Sequence, residues 1–323
     1  MQAPSSLARL LGAIRHSFSD AVKVSFGLFR VMVPIIIAVK ILNELDLIKY
    51  LALPLKPLMT LTGLPADLGL AWASGMAVNI YSGLLVFASL LPHMDPLTGA
   101  QATIFATMML FAHSLPVEGR IAKQCGVAML PQLALRIGVA LVSGVLLNAL
   151  YAWGGWLQTP APMLWQPAPP APDLAMWALG EARNLFSLFW VIYALMLFKR
   201  AMDHFDVTRL LNAALRPLLR LLGIGPSAAT VAVVGASMGL IYGSGLIIQE
   251  TQKGTISRRD VLCVISLMGL AHALIEDTLL MVLIGGDLSG TLVARVVLAL
   301  VVTGILARCV GNGDAPRPAP AGA

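Results

Sequence analysis

Charge is scarce in this chain: across 323 residues, Asp, Glu, Lys and Arg together make up 12%. A soluble domain carries about 25%. Half of that leaves too little polar surface to coat a globule, which excludes a soluble enzyme. Cysteine is nearly as rare. Cys125, Cys263 and Cys309 are too widely spaced for a disulfide framework or a CxxC metal pair and read as small packing hydrophobes. HExxH spacing is missing, and the cysteines lie far from the histidines, so no metal, cofactor or catalytic set is expected. The N-terminus lacks the unbroken apolar core and small-residue cleavage site of a signal peptide. Period-2 alternation, the mark of a membrane barrel, is also absent.

What fills the chain instead is apolar: 58% hydrophobic residues, gathered into runs such as Val31–Val39, Ile137–Leu147 and Val296–Ala307. With their small and aromatic flanks these suit α-helices crossing a ~30 Å hydrocarbon core. The sequence therefore predicts an all-α polytopic membrane protein in contact with membrane lipid. A net charge of +6 in such a chain encodes orientation, so no nucleic-acid partner is expected. Residues 1–25 mix Arg9, Arg15, His16, Asp20 and Lys23 with apolar residues and read as an amphipathic helix on the membrane surface.

Compared with itself at a shift of about 160, the chain shows a duplication. Leu28-Phe29 matches Leu188-Phe189, and Lys40 and Asp46 match Arg200 and Asp206. Leu55-Lys56-Pro57-Leu58 matches Leu215-Arg216-Pro217-Leu218. Gly63, Gly75, Tyr81, Ala112-His113, Gly126 and Arg136 likewise match Gly223, Gly235, Tyr242, Ala271-His272, Gly285 and Arg295. The domains read as a surface helix (1–25), a first repeat (26–153), a Pro/Ala-rich extracytoplasmic loop (154–174), a second repeat (175–310) and a disordered tail (311–323). Each repeat orders an apolar helix, a short amphipathic stretch, a glycine-broken segment (66–91 and 226–250) and two further helices.

Whether the broken segment spans decides the topology. If it does, Lys253, Arg258 and Arg259 fall on the side opposite Lys199, Arg200, Arg209, Arg216 and Arg220. If it is a re-entrant hairpin, each repeat has three transmembrane helices and the second is inverted. One side then collects nearly all the basic residues, leaving Lys49 and Lys56 on the other, close to the positive-inside rule. The hairpin reading gives six crossings, with both termini in the cytoplasm of a bacterial inner (plasma) membrane. Six crossings leave little scaffold around two hairpins, which favours a homo-oligomer.

Inverted repeats with broken elements meeting at mid-depth are the build of secondary transporters. The tips carry Asn79, Tyr81, Ser82 and Gly83, and Tyr242, Ser244 and Gly245, read as substrate-binding. The bland alternative is close helix packing through small residues. Few acids fall inside the spans: Glu118, Glu276 and Asp277. Each repeat places a histidine five residues before a carboxylate, His113 to Glu118 and His272 to Asp277, while Glu276 follows His272 by four. Pro116 kinks the first of these helices. The reading is a symmetric pair of ion-coupling sites for protons or sodium, against a structural hydrogen bond between helices. Arg136 and Arg295 are matched as charge partners, or else snorkel to the interface. Trp72, Trp153, Trp156, Trp165 and Trp177 read as interfacial anchors.

The order of amphipathic helix, hairpin and two helices, occurring twice, resembles the transport core of concentrative nucleoside transporters. The sequence over 26–150 and 185–308 is more similar to the nucleoside-recognition (Gate) family, which includes the spore maturation proteins A and B. Gate domains also occur in ferrous-iron transporter B. The resemblance implies substrate between the hairpin tips and the broken helices that follow, here 75–83, 235–245, 113–118 and 272–277. The acidic hairpin motif of the nucleoside transporters is missing from 75–83, and no GxxxxGK[ST] occurs. The expectation is a secondary transporter, not an enzyme, for a small polar solute with a coupling ion. The alternatives are a membrane scaffold or regulator and an intramembrane hydrolase.

Overall fold

The computed structural model describes residues 6–45, 47–165, 173–205, 207–238, 245–250, 253 and 256–310. Tyr242, Ser244 and the tail 311–323 lie outside the described residues. Among the described residues six helices are long and apolar enough to cross a membrane: Ser17–Glu44, Gly99–Gln124, Met129–Gly154, Leu174–Met202, Arg258–Leu283 and Ser289–Cys309. The chain is an all-α polytopic membrane protein. The stretch 1–25 and the first span are not separated: one helix runs from Ser6 to Glu44, with Pro34 inside it.

Burial sorts the spans. Within the apolar windows of Gly99–Gln124 and Arg258–Leu283, 78% and 72% of residues are buried, against 17% in Ser17–Glu44 and in Leu174–Met202. The first two form the core, and the latter two turn their apolar faces outward, as lipid contact requires. Ser17–Glu44 and Leu174–Met202 pack antiparallel. At one end Phe18 meets Tyr193 with ring centroids 5.5 Å apart, and at the other Lys40 lies over Trp177 at 5.6 Å.

Both core helices are broken. The first comprises Gly99–Phe111 and Leu115–Gln124, the second Arg258–Ala271 and Glu276–Leu283. Each break holds a non-glycine residue in the left-handed region, Ser114 at φ 52° and Ala273 at φ 44°. Pro116 sits in the first turn after the first break, where its missing N–H costs nothing. The second break has no proline at all. These helices also run antiparallel. Thr103, near the start of the first, accepts the Asp287 N–H just past the end of the second at 2.9 Å, while the two breaks meet through His113 and His272.

The segment 66–91 is a helical hairpin, Leu68–Ala77 side by side with Ile80–Leu90. At ~1.5 Å per residue each arm reaches about half of a ~30 Å core. Asn79 accepts the Ser82 N–H at 2.9 Å and caps the second arm. A Cβ on Gly75 would lie 3.7 Å from Gly83 Cα, so the arms touch backbone to backbone. Trp72, expected at an interface, is buried in this hairpin and donates to the Met108 carbonyl at 3.3 Å. Its equivalent segment shows Pro226–Met238 and a helical run at 245–250.

The connection between the repeats is a strap. Ala161 donates to the Leu97 carbonyl at 2.9 Å and Gly99 to that of Thr159 at 2.8 Å. Leu164 and Trp165 both donate to the Leu283 carbonyl, at 3.0 and 2.9 Å.

Gly83 and Gly245 give a test of packing. A Cβ on Gly83 would meet Met109 Cε at 2.5 Å and the Ala71 carbonyl at 3.0 Å, whereas Gly245 is exposed with open space beside it. Gly83→Val is expected to cost roughly 1–3 kcal/mol through overpacking. Gly245→Val is expected to leave the thermal unfolding midpoint in detergent unchanged.

Candidate functional site

A helix break inside an apolar protein leaves carbonyls without their usual donors. Here side chains supply them, and in the same way in both repeats. Arg136 Nε donates to the Phe111 carbonyl at 2.9 Å, and Arg295 Nε to that of Leu270 at 3.0 Å. Each pair is separated by 25 residues in sequence. Arg295 also donates from Nη2 to the His272 carbonyl at 2.9 Å. His113 Nδ1 donates to the Met109 carbonyl at 3.0 Å, and His272 Nδ1 to that of Met268 at 2.8 Å. A carbonyl only accepts, so both rings hold a proton on Nδ1, and in the neutral ring Nε2 is then the lone-pair nitrogen.

The guanidiniums reached by these contacts are buried, Arg136 at 3% and Arg295 at 0% exposure. They do not snorkel, and each faces an acid. Arg136 Nη1 stands 2.7 Å from Glu118 Oε2, and Arg295 Nη2 stands 3.9 Å from Asp277 Oδ2. Glu118, Glu276 and Asp277 all fall in the first turn after a break, where the helix dipole favours negative charge.

The sequence suggests two separate His–carboxylate sites, but the fold brings them into one centre. The rings of His113 and His272 have centroids 5.1 Å apart. Glu118 Oε1 lies 3.8 Å from Nε2 of both histidines, its own repeat's and the other's. His272 Nε2 lies 3.9 Å from Asp277 Oδ2. Among the described residues, Arg136 Nη2, Arg295 Nη1 and Asp277 Oδ2 are buried with no hydrogen-bond partner. A cavity of about 10 Å³, the size of one water, lies beside Glu118 and Arg136.

Glu276 stands apart from this centre. The break at 272–275 cancels the helical reasoning that put it on the face of His272, and it pairs with Lys199 at 3.6 Å, each about one-third exposed. Of the first hairpin tip, Ser82 is buried and bound to Asn79, Gly83 is a close-packing position, and Tyr81 is half-buried within electrostatic range of Glu276 and Asp277. The tip touches the centre through its backbone: Ser114 N–H donates to the Gly75 carbonyl at 2.9 Å. Cys125, between two spans, is buried, and burial pushes its thiol up to about 11, so it packs as a hydrophobe.

Two residues escaped the sequence reading. Gln132 is buried and donates to Ser266 Oγ at 2.8 Å, crossing from one repeat to the other beside Arg136. Its spacing of four from Arg136 puts it on the same helical face, which is the signal it offered. Lys199 lies at a span end, where a lysine is ordinarily an orientation signal.

The chain is 26% identical over 284 residues to the uncharacterized membrane protein YvoD of Bacillus subtilis (strain 168). The alignment covers 86% of this chain and 89% of that protein. No protein-family profile and no solved structure matches the chain. The relative's name and the six apolar helices agree on the class, a polytopic membrane protein.

Removing one member of a buried ion pair strands the other charge. Arg136→Gln is expected to destabilise the protein by about 3–5 kcal/mol. The double variant Arg136→Gln/Glu118→Gln should recover much of that loss, read as midpoints of thermal unfolding in detergent.

Proposed function

We propose that this protein is a secondary transporter of the bacterial inner membrane that moves a small polar solute, with the buried centre as its ion site. The observation that carries this is the centre itself. Two guanidiniums, two imidazoles and Glu118 are buried, with Asp277 partly buried beside them, where two antiparallel broken helices face each other. Ionisable groups within a span cost roughly 2.5–3.5 kcal/mol each on insertion scales. A brace alone needs an arginine and its counter-charge at each break; the imidazole pair gathered around Glu118 goes beyond that need. The antiparallel run of the matched helices supports the inverted arrangement of the repeats, and the resemblance to Gate proteins and nucleoside transporters has the same order of parts.

In this reading solute binds between the hairpin tips and the breaks, reached by Asn79 and Tyr81 on one side and by Tyr242, Ser244 and Gly245 on the other. Glu118 and Asp277 hold the coupling charge, His113 and His272 line the site, and Arg136 and Arg295 keep the carboxylates compensated. Glu276 and Lys199 form an ion pair at the margin. Both termini face the cytoplasm, in keeping with the distribution of Lys and Arg.

Purified protein in proteoliposomes is expected to accumulate a polar solute against its gradient when an ion gradient is imposed. Glu118→Gln and Asp277→Asn should abolish ion-driven accumulation while sparing solute binding measured by thermal shift. Coupling of wild-type strength in both variants would remove the ion-site assignment. The arrangement in the bilayer has its own test. Cysteine labelling should find 251–259 reachable from the cytoplasm and 92–99 from outside, and a result with both loops on one side would defeat it.

A further inference from the structure

We propose that the ion held at this centre is a divalent transition-metal ion, bound by His113 Nε2, His272 Nε2 and Asp277 Oδ2, with Glu118 Oε1 completing the set. One ligand atom each from His113, His272 and Asp277 all lie within 4.8 Å of one another, and Glu118 Oε1 is 3.8 Å from Nε2 of each imidazole. Separations of 3.8–3.9 Å are too long for hydrogen bonds. Tetrahedral ligands at about 2.0–2.2 Å from one ion stand ~3.3–3.6 Å apart. The close pairs reach that by moving together about 0.5 Å, and the widest pair by ~1.5 Å.

The surroundings of the ligands argue for the same occupant. Metal-binding imidazoles characteristically give their other N–H to a carbonyl or carboxylate, which fixes the ring and the tautomer. Both rings do so here, each to the carbonyl four residues before it. Asp277 Oδ2 is buried with no donor among the described residues, as an acceptor awaiting a cation would be.

The donor set determines which cation. A hard ion such as Mg²⁺ or Ca²⁺ takes six or more oxygen ligands, and here only two carboxylates are offered, both already facing guanidiniums. What distinguishes the centre is the imidazole pair, and imidazole suits zinc, copper, iron and nickel.

The inference rests on the reading of the centre as an ion site, but its test needs no transport. Full-length protein in detergent is titrated with Co²⁺ alone, followed by its visible absorption, and then with Zn²⁺ as competitor. The expected result is one Co²⁺ per chain, displaced by Zn²⁺. His113→Gln and His272→Gln should lower Co²⁺ affinity at least about tenfold, and Lys199→Gln should leave it unchanged. X-ray absorption on the Zn²⁺-loaded wild type should show two imidazoles, and this readout decides the matter even if the histidine variants fail to fold. Substoichiometric Co²⁺ binding to wild type, a zinc spectrum without imidazole, or unchanged affinity in a folded His272→Gln protein would overturn the proposal. Metal binding without ion-driven accumulation would keep the site and remove the transport reading; accumulation without metal binding would do the reverse.

Discussion

The structure depends on one constraint: a helix cannot be interrupted in an apolar surround unless something satisfies the freed carbonyls. In both core helices that role falls to an arginine Nε, placed by the last span of the same repeat. An arginine brings a charge that needs a counter-charge, and the carboxylate comes from the first turn beyond the break. Break, arginine and acid are therefore parts of a single solution. Its occurrence in both broken helices accounts for two arginines and two carboxylates, and the two imidazoles come in addition.

The lid over this solution is the hairpin. Its Gly75 carbonyl takes the Ser114 N–H at the break, and its second arm is capped internally by Asn79. A Cβ on Gly83 would crowd the Ala71 carbonyl at 3.0 Å as well as Met109, whereas one on Gly75 would displace only the movable end of Met109. Small residues here serve close approach as well as any ligand. Outside the core, the helices Ser17–Glu44 and Leu174–Met202 face outward and join through aromatic contacts.

Much of this was legible in the chain. Apolar runs marked all six helices, and the hairpin at 66–91 was signalled by glycines flanking Asn79. The matched His, acid and Arg positions named residues that meet at the breaks, because few other polar residues interrupt the runs. What could not be read was that the two sets meet, since a repeat in sequence carries no statement about how its copies face. Pro116 suggested that a proline makes the break, yet Ala273 reaches the left-handed region without one. Glu276 illustrates the same limit: helical spacing loses its meaning across an interruption. Trp72 looked like an anchor because it lies near a predicted element end, and only packing shows it buried in an inner arm. The boundary read at residue 25 followed the change from mixed charged to apolar composition, yet one helix runs through it from Ser6 to Glu44.

The strap 155–165 has a mechanical consequence. It is stitched at Leu97 and Gly99 to the head of one broken helix and at Leu283 to the foot of the other. These stitches are backbone hydrogen bonds, whereas the outer helices Ser17–Glu44 and Leu174–Met202 are joined by side chains, Phe18 on Tyr193 and Arg200 on Ser17. A side-chain substitution can loosen the outer pair but leaves the strap's hold on the two broken helices in place.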